Sequence, residues 1–133
     1  NAIKFNQETL AKNTGSILLY STIAVKQGFT NHTIVSTAKG AIEGLTLSLA
    51  AEFAPKIKVN CIAPSLTDAK MTQKLLNNET IKKAIENMHP LPKIGSGDDF
   101  SDIGSFLLSD KNSWITGQIF HIDGGRSSLR IKS

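Results

Sequence analysis

An apolar strand followed by a long helix and a second strand is the pattern that most limits what this chain can become. Ile17-Leu18-Leu19-Tyr20 is an apolar run without in-and-out alternation, so a strand over 16–21 must be covered on both faces. Helices packed on both sides of a parallel sheet provide that cover. Downstream, Ile34, Ala38, Ile42 or Ala41, Leu45, Leu49 and Phe53 recur every three or four residues, giving a helix that starts near His32 a long apolar stripe until Pro55 closes it. A second strand follows at roughly 58–63 and a last one at 119–123, which stops at Gly124-Gly125. Strand, helix, strand, helices, strand is the βαβ order of a parallel sheet with right-handed crossovers, and the fold class is α/β.

Local signals place the boundaries. A first helix ends near Lys12, where Asn13-Thr14-Gly15 makes a C-terminal stop before the first strand. Asn31 is positioned to cap the long helix. After Pro64 the pattern loosens into a loop and two short helical stretches near 71–76 and 79–88. Pro90 and Pro92 then break the chain, and Gly95-Ser96-Gly97-Asp98 forms a turn whose Asp98 is expected to cap a helix over 99–108. Trp114, just ahead of the last strand, reads as a packing residue. No repeat or low-complexity tract interrupts the pattern.

Length and charge exclude several classes of function. The 133 residues fit one domain with a modest core. A formal net charge of +4 invites a nucleic-acid reading, but the lysines are scattered with acidic residues between most of them. The one small cluster, Arg126, Arg130 and Lys132, lacks interleaved aromatics and reads as a solvated tail. No nucleic-acid partner is expected, and the positive balance favours solubility and attraction for an anionic cofactor or substrate. Cys61 is the single cysteine, so no intrachain disulfide or Cys-rich metal site can form, and no metal is expected; within the second strand it reads as a buried, inert thiol. No apolar run of about 18 residues exists to span a bilayer, and no N-terminal signal pattern is visible, so no membrane partner is expected and the cytoplasm is the default location.

Val35-Ser36-Thr37-Ala38-Lys39 adds chemistry to this frame. Positions 35 and 39 lie one turn apart on a single helix face, and Thr22, at the end of the first strand, precedes Val35 by 35 − 22 = 13 residues. Around them stand Gly28-Phe29 before Asn31-His32, Ala38-Lys39-Gly40-Ala41-Ile42-Glu43-Gly44-Leu45-Thr46, Val59-Asn60-Cys61-Ile62-Ala63 ending in Pro64-Ser65, Pro90-Leu91 with Ile94-Gly95, Ile115-Thr116-Gly117-Gln118, and Asp123-Gly124-Gly125. In order and spacing this set resembles the short-chain dehydrogenase/reductase family along nearly the whole chain.

The resemblance implies a Rossmann-like, doubly wound parallel sheet. Family members are close to twice as long, and no Gly-x-x-x-Gly-x-Gly turn occurs here to cradle a pyrophosphate. Residues 1–133 therefore read as the C-terminal part of a single Rossmann-like domain, about three strands with flanking helices, without the N-terminal dinucleotide-binding half. A strand at 16–21 with an unpaired edge would invite pairing with another chain. The expected partners are a second copy, in a dimer or tetramer, or a separate N-terminal fragment.

In that family a strand-end Ser, a Tyr and a Lys one turn later carry hydride transfer on NAD or NADP, acting on a small-molecule alcohol or carbonyl. The corresponding positions here are Thr22, Val35 and Lys39. By resemblance, Lys39 grips the cofactor ribose, Thr22 orients the substrate oxygen, and the loop Pro64, Ser65, Leu66, Thr67 covers the nicotinamide. Val35 cannot donate a proton, and the loss of a positioned acid or base typically costs about 10² to 10⁴ in rate. His32, one turn before Val35, is a candidate proton shuttle, against the simpler reading of a first-turn residue touching solvent or loop backbone. Ser65 stands where the family usually has Gly, and Ala69 where it often has Thr. Residues 70–89 correspond to the substrate lid, with their charges on a solvated face. The chain is not expected to turn over by itself, and the rival reading is a catalytically dead relative that serves as a binding or assembly module.

Overall fold

The computed structural model describes residues 2–131. Its elements run α1 (Ala2–Lys12), β1 (Ser16–Tyr20), α2 (Thr33–Phe53), β2 (Lys58–Pro64), α3 (Gln73–Leu76), α4 (Glu79–Glu86), α5 (Asp98–Leu108) and β3 (Ile119–Ile122). The three strands form one parallel sheet in the order β1-β2-β3, with Leu19 opposite Cys61 and Cys61 opposite Ile119. This is the α/β arrangement expected from the strand and helix periods.

β2 is central because it is the strand that can be covered everywhere. Val59 to Ala63 are all buried, and each fully buried aliphatic side chain contributes about 1.5–3 kcal/mol relative to exposure. Ala50 and Phe53 of α2 meet Ile57 and Val59, with Leu10 and Ala11 of α1 packed against the group. On β1, α5 approaches closely at Gly104, where a Cβ would sit 3.5 Å from Leu18. Asn60 is the polar exception in β2, and it is satisfied: its amide nitrogen donates to the Ile115 carbonyl and its oxygen accepts from the Gln118 N–H, both at 3.0 Å. Thr116 Oγ1 accepts from the Val59 N–H at 3.0 Å. The segment Ile115-Thr116-Gly117-Gln118 thus fastens the start of β3 to the middle of the sheet.

Several local expectations are corrected. Asn31 does not cap α2: it turns through φ +61°, a conformation Asn tolerates, and leaves His32 at the cap position without a side-chain cap bond. Asp98 is already helical, with Gly97 at the cap. The work falls to Asp99, whose carboxylate reaches back to the Ser96 N–H at 2.8 Å and the Ser96 hydroxyl at 3.1 Å, and also pairs with Lys93. At the end of α1, Thr14 takes the left-handed turn, while Gly15 is needed for space, since a Cβ there would lie 3.1 Å from Leu10 Cα. Of the expected α2 stripe only Phe53 is buried, Ile34 being 85 % exposed and Leu45 exposed as well; the face that packs on the sheet runs through Thr46, Ala50 and Phe53. Trp114 is 95 % exposed and packs no core. Among the described residues β1 pairs with β2 alone, and no helix is long and apolar enough to cross a membrane.

Candidate active site

Parallel strands bring their C-terminal tips to one edge, where ligands of open α/β sheets commonly bind. Three backbone bonds stitch the loops that leave these tips. Ser21 N–H donates to the Ile62 carbonyl at 2.8 Å, Ile23 N–H to the Pro64 carbonyl at 3.0 Å, and Ser65 N–H to the Ile122 carbonyl at 3.4 Å. Thr22 and Ser65 therefore sit on adjacent strand ends.

The first turns of α2 are tied to the β1 end. Ser36 Oγ donates to the Ala24 carbonyl at 3.0 Å, and Lys39 Nζ donates to the Tyr20 carbonyl at 2.9 Å, two residues before Thr22. Thr22 is half-buried, and its Oγ1 accepts from the Ala24 N–H at 3.3 Å. Ser21, buried beside it, donates to Glu43 Oε1 at 2.6 Å. Lys39 and Thr22 are thus brought to the same strand tip, and Val35, one turn before Lys39 on α2, is 47 % exposed. His32 is exposed at the helix start; its Nδ1 lies 2.7 Å from the Thr30 carbonyl, and its ring meets Phe29 edge-on at 5.5 Å.

The loop from Pro64 borders a cavity of about 200 Å³, lined among others by Ser65, Thr67, His89, Phe100 and Asp123. Neither Thr22 nor Lys39 lines it. Two side chains that meet Ser65 there carry no site role in the sequence reading. His89 is only 4 % exposed, with Nδ1 2.8 Å from the Ile85 carbonyl and Nε2 2.8 Å from Ser65 Oγ. A carbonyl can only accept, so Nδ1 carries a proton, which leaves Nε2 of a singly protonated ring to receive the Ser65 hydroxyl hydrogen. Arg126 donates from Nη1 to the same Oγ at 3.3 Å, reaches Met88 Sδ with Nη2 at 3.4 Å, and lays its guanidinium 4.8 Å from the Phe29 ring centre.

Arg126 corrects the reading of a solvated tail. It is half-buried, and burial pushes its guanidinium below its ordinary pKa, opposed by the nearby Asp123. Arg130 is exposed, as a tail residue would be, and Lys132 lies outside the described residues. The signal that redirects Arg126 is the turn before it. Gly124 and Gly125 adopt φ +60° and +86°, and Asp123 accepts from the Gly125 and Ser127 N–H groups, both at 2.9 Å. This folds the chain back over the strand tips. Burial pushes the Asp123 carboxyl up, but the bonds from Ser127 and Gly125 outweigh it and hold the group below its ordinary value. Cys61 is fully buried, and burial pushes its thiol up, as suits an inert side chain. Among the described residues no cluster of His, Cys, Asp and Glu has the makings of a metal site.

Comparisons with known proteins agree on kinship. A family model described as enoyl-(acyl carrier protein) reductase matches residues 2–127. A 3-oxoacyl-[acyl-carrier-protein] reductase of Chlamydia trachomatis is 36% identical over 113 residues, covering 84% of this chain and 45% of that protein. Among solved structures, a short-chain type dehydrogenase/reductase from Mycobacterium ulcerans superposes with a TM-score of 0.86 at 26% identity, over 96% of this chain and 47% of that one. ElxO with NADP bound gives the same TM-score at 32% identity, over 96% and 52%. The chain spans about half the length of each relative.

Proposed function

Because the chain belongs to the short-chain dehydrogenase/reductase family, we propose that the protein carrying it transfers hydride between NAD or NADP and a small-molecule alcohol or carbonyl. The observation that carries this reading is the convergence of Lys39 and Thr22 on the tip of β1, one loop away from Pro64 and Ser65. Residues 1–133 then supply the C-terminal half of one Rossmann-like domain, and the unpaired edge of β1 accommodates the rest of the sheet or a second copy.

The donor set suits a dinucleotide. Lys39 is a half-buried cation whose Nζ has two further hydrogens beyond the one it gives to Tyr20, enough to reach a ribose diol. The Thr22 hydroxyl orients the substrate oxygen. Backbone of Leu66 and Thr67 lies along the strand tips, where it covers the nicotinamide. A bound nicotinamide supplies or takes up the hydride. The kinship with a structure that holds NADP supports this cofactor class.

The test is a titration of the intact protein with NADH and NADPH, followed by nicotinamide fluorescence and then by turnover on 2,3-butanedione. Saturable binding with oxidation of the cofactor is expected. Binding without turnover, unchanged by His32→Ala, would favour the assembly module, for which Val35 is the argument. No binding of either cofactor would end the oxidoreductase reading.

A further inference from the structure

The geometry points to Ser65 as the group that exchanges a proton with the substrate oxygen in place of the phenol absent at position 35, with His89 as its relay and Arg126 as its electrostatic support. The inference rests on the oxidoreductase reading above. It begins with a constraint: hydride transfer to a carbonyl leaves charge on oxygen, and an aliphatic side chain at 35 cannot neutralise it. A substitute must be a hydroxyl or acid at the strand tips, joined to a side chain that can take up and return a proton. Ser65 has this arrangement among the described residues.

Three features set Ser65 apart from the other hydroxyls of the site. Thr22 Oγ1 is bonded to a backbone amide and Ser36 Oγ to a backbone carbonyl, while Ser21, which donates to Glu43, is buried and Ser65 is only half-buried. Ser65 Oγ instead lies 2.8 Å from the Nε2 of a buried imidazole whose tautomer is fixed by the Ile85 carbonyl. An Arg126 N–H points at the same oxygen from 3.3 Å, which favours developing negative charge there. Finally, Ser65 follows Pro64, whose carbonyl is bonded to Ile23, the residue after Thr22. Thr22 and Ser65 thus stand on adjacent strand ends, and a substrate oxygen held between the two ends would face both hydroxyls.

The proton balance closes. In alcohol oxidation the substrate O–H bond breaks and its proton passes to Ser65 Oγ, while the Ser65 proton passes to His89 Nε2 and the hydride leaves to the oxidised nicotinamide cofactor. The products are a carbonyl compound, reduced cofactor and the His89 imidazolium. Water in the cavity that Ser65 and His89 both line then takes the proton. In reduction every transfer runs backward, with the imidazolium as source.

Two measurements on the intact protein test the relay. The first needs no cofactor: histidine ring ¹⁵N spectra should show His89 as the Nδ1–H tautomer, with an Nε2 shift that moves in Ser65→Gly. The second follows NADPH or NADH oxidation by 2,3-butanedione. Ser65→Gly places the usual family residue at this position, so the backbone accommodates it. It should lower kcat by about 10²-fold or more while cofactor affinity stays within about twofold. His89→Gln should lower kcat by about tenfold or more with KM unchanged. An Nε2–H tautomer overturns the relay, as does a Ser65→Gly enzyme within about threefold of wild type, or a wild type that binds cofactor and reduces none of the diketone. A wild type that binds neither cofactor refutes the oxidoreductase reading itself, which is a separate outcome.

Discussion

The tip of β1 and the tips of β2 and β3 use their polar side chains in opposite ways. At β1, Thr22, Ser36 and Lys39 spend hydrogen bonds on backbone amides and carbonyls, and only the buried Ser21, on Glu43, joins another side chain. At β2 and β3, Ser65 is bonded to both the His89 and the Arg126 side chain. Bonds to backbone fix a shape and leave protons where they are. A hydroxyl between an imidazole and a guanidinium has a proton that can move. On the proposed reading the first tip serves grip and orientation and the second acid and base work, a division that a phenol at 35 would have made unnecessary.

The sharpest way to break this contrast is to restore the phenol. Val35→Tyr in a Ser65→Gly background should recover about 10²-fold in kcat, because the new hydroxyl stands one turn from Lys39 as in the family pattern. No recovery, with cofactor bound, would mean that the two tips do not face one substrate oxygen. A smaller effect separates shape from chemistry at the second tip. Asp123→Ala leaves the Gly125 and Ser127 N–H groups without their acceptor and should cost about 1–3 kcal/mol in urea denaturation while loosening Arg126. The sign of its pH dependence follows from the depressed Asp123 pKa. Its contribution is complete above the ordinary carboxyl value of about 3.9 and is lost as pH falls through the lower folded value. Wild type should therefore lose urea stability in acid more steeply than Asp123→Ala. Smallest of all, Trp114→Ala should change stability by no more than about 0.5 kcal/mol, since the ring is almost wholly exposed. A larger loss in the intact protein would show that another surface covers it.

The strands were legible to within a residue or so because their signal is local. Unbroken apolar runs, a period of three to four, and Pro or Gly at the ends need no knowledge of the rest of the chain. Cys61 in the middle of β2 was legible for the same reason. The caps at Asn31 and Asp98 were misread by one position because backbone conformation, rather than residue type, decides which side chain faces the free amides. Ser65 stands out in the sequence as an intruder at a glycine position. Its partners do not, since they lie 24 and 61 residues away in sequence and only the tertiary fold brings them to it. Arg126 reads as part of the tail because charge clustering carries no information about a turn that reverses the chain.

The bond from the Leu91 N–H to the Gly124 carbonyl, 3.0 Å long, joins the segment that ends in His89 to the turn that begins Arg126. A side chain at 124 would strain a φ of +60° and set its first carbon 3.1 Å from the Leu91 oxygen. Even a methyl group there would press on Leu91 and meet the His89 Cβ at 3.5 Å, so a change two residues before Arg126 would disturb the imidazole that Ser65 depends on.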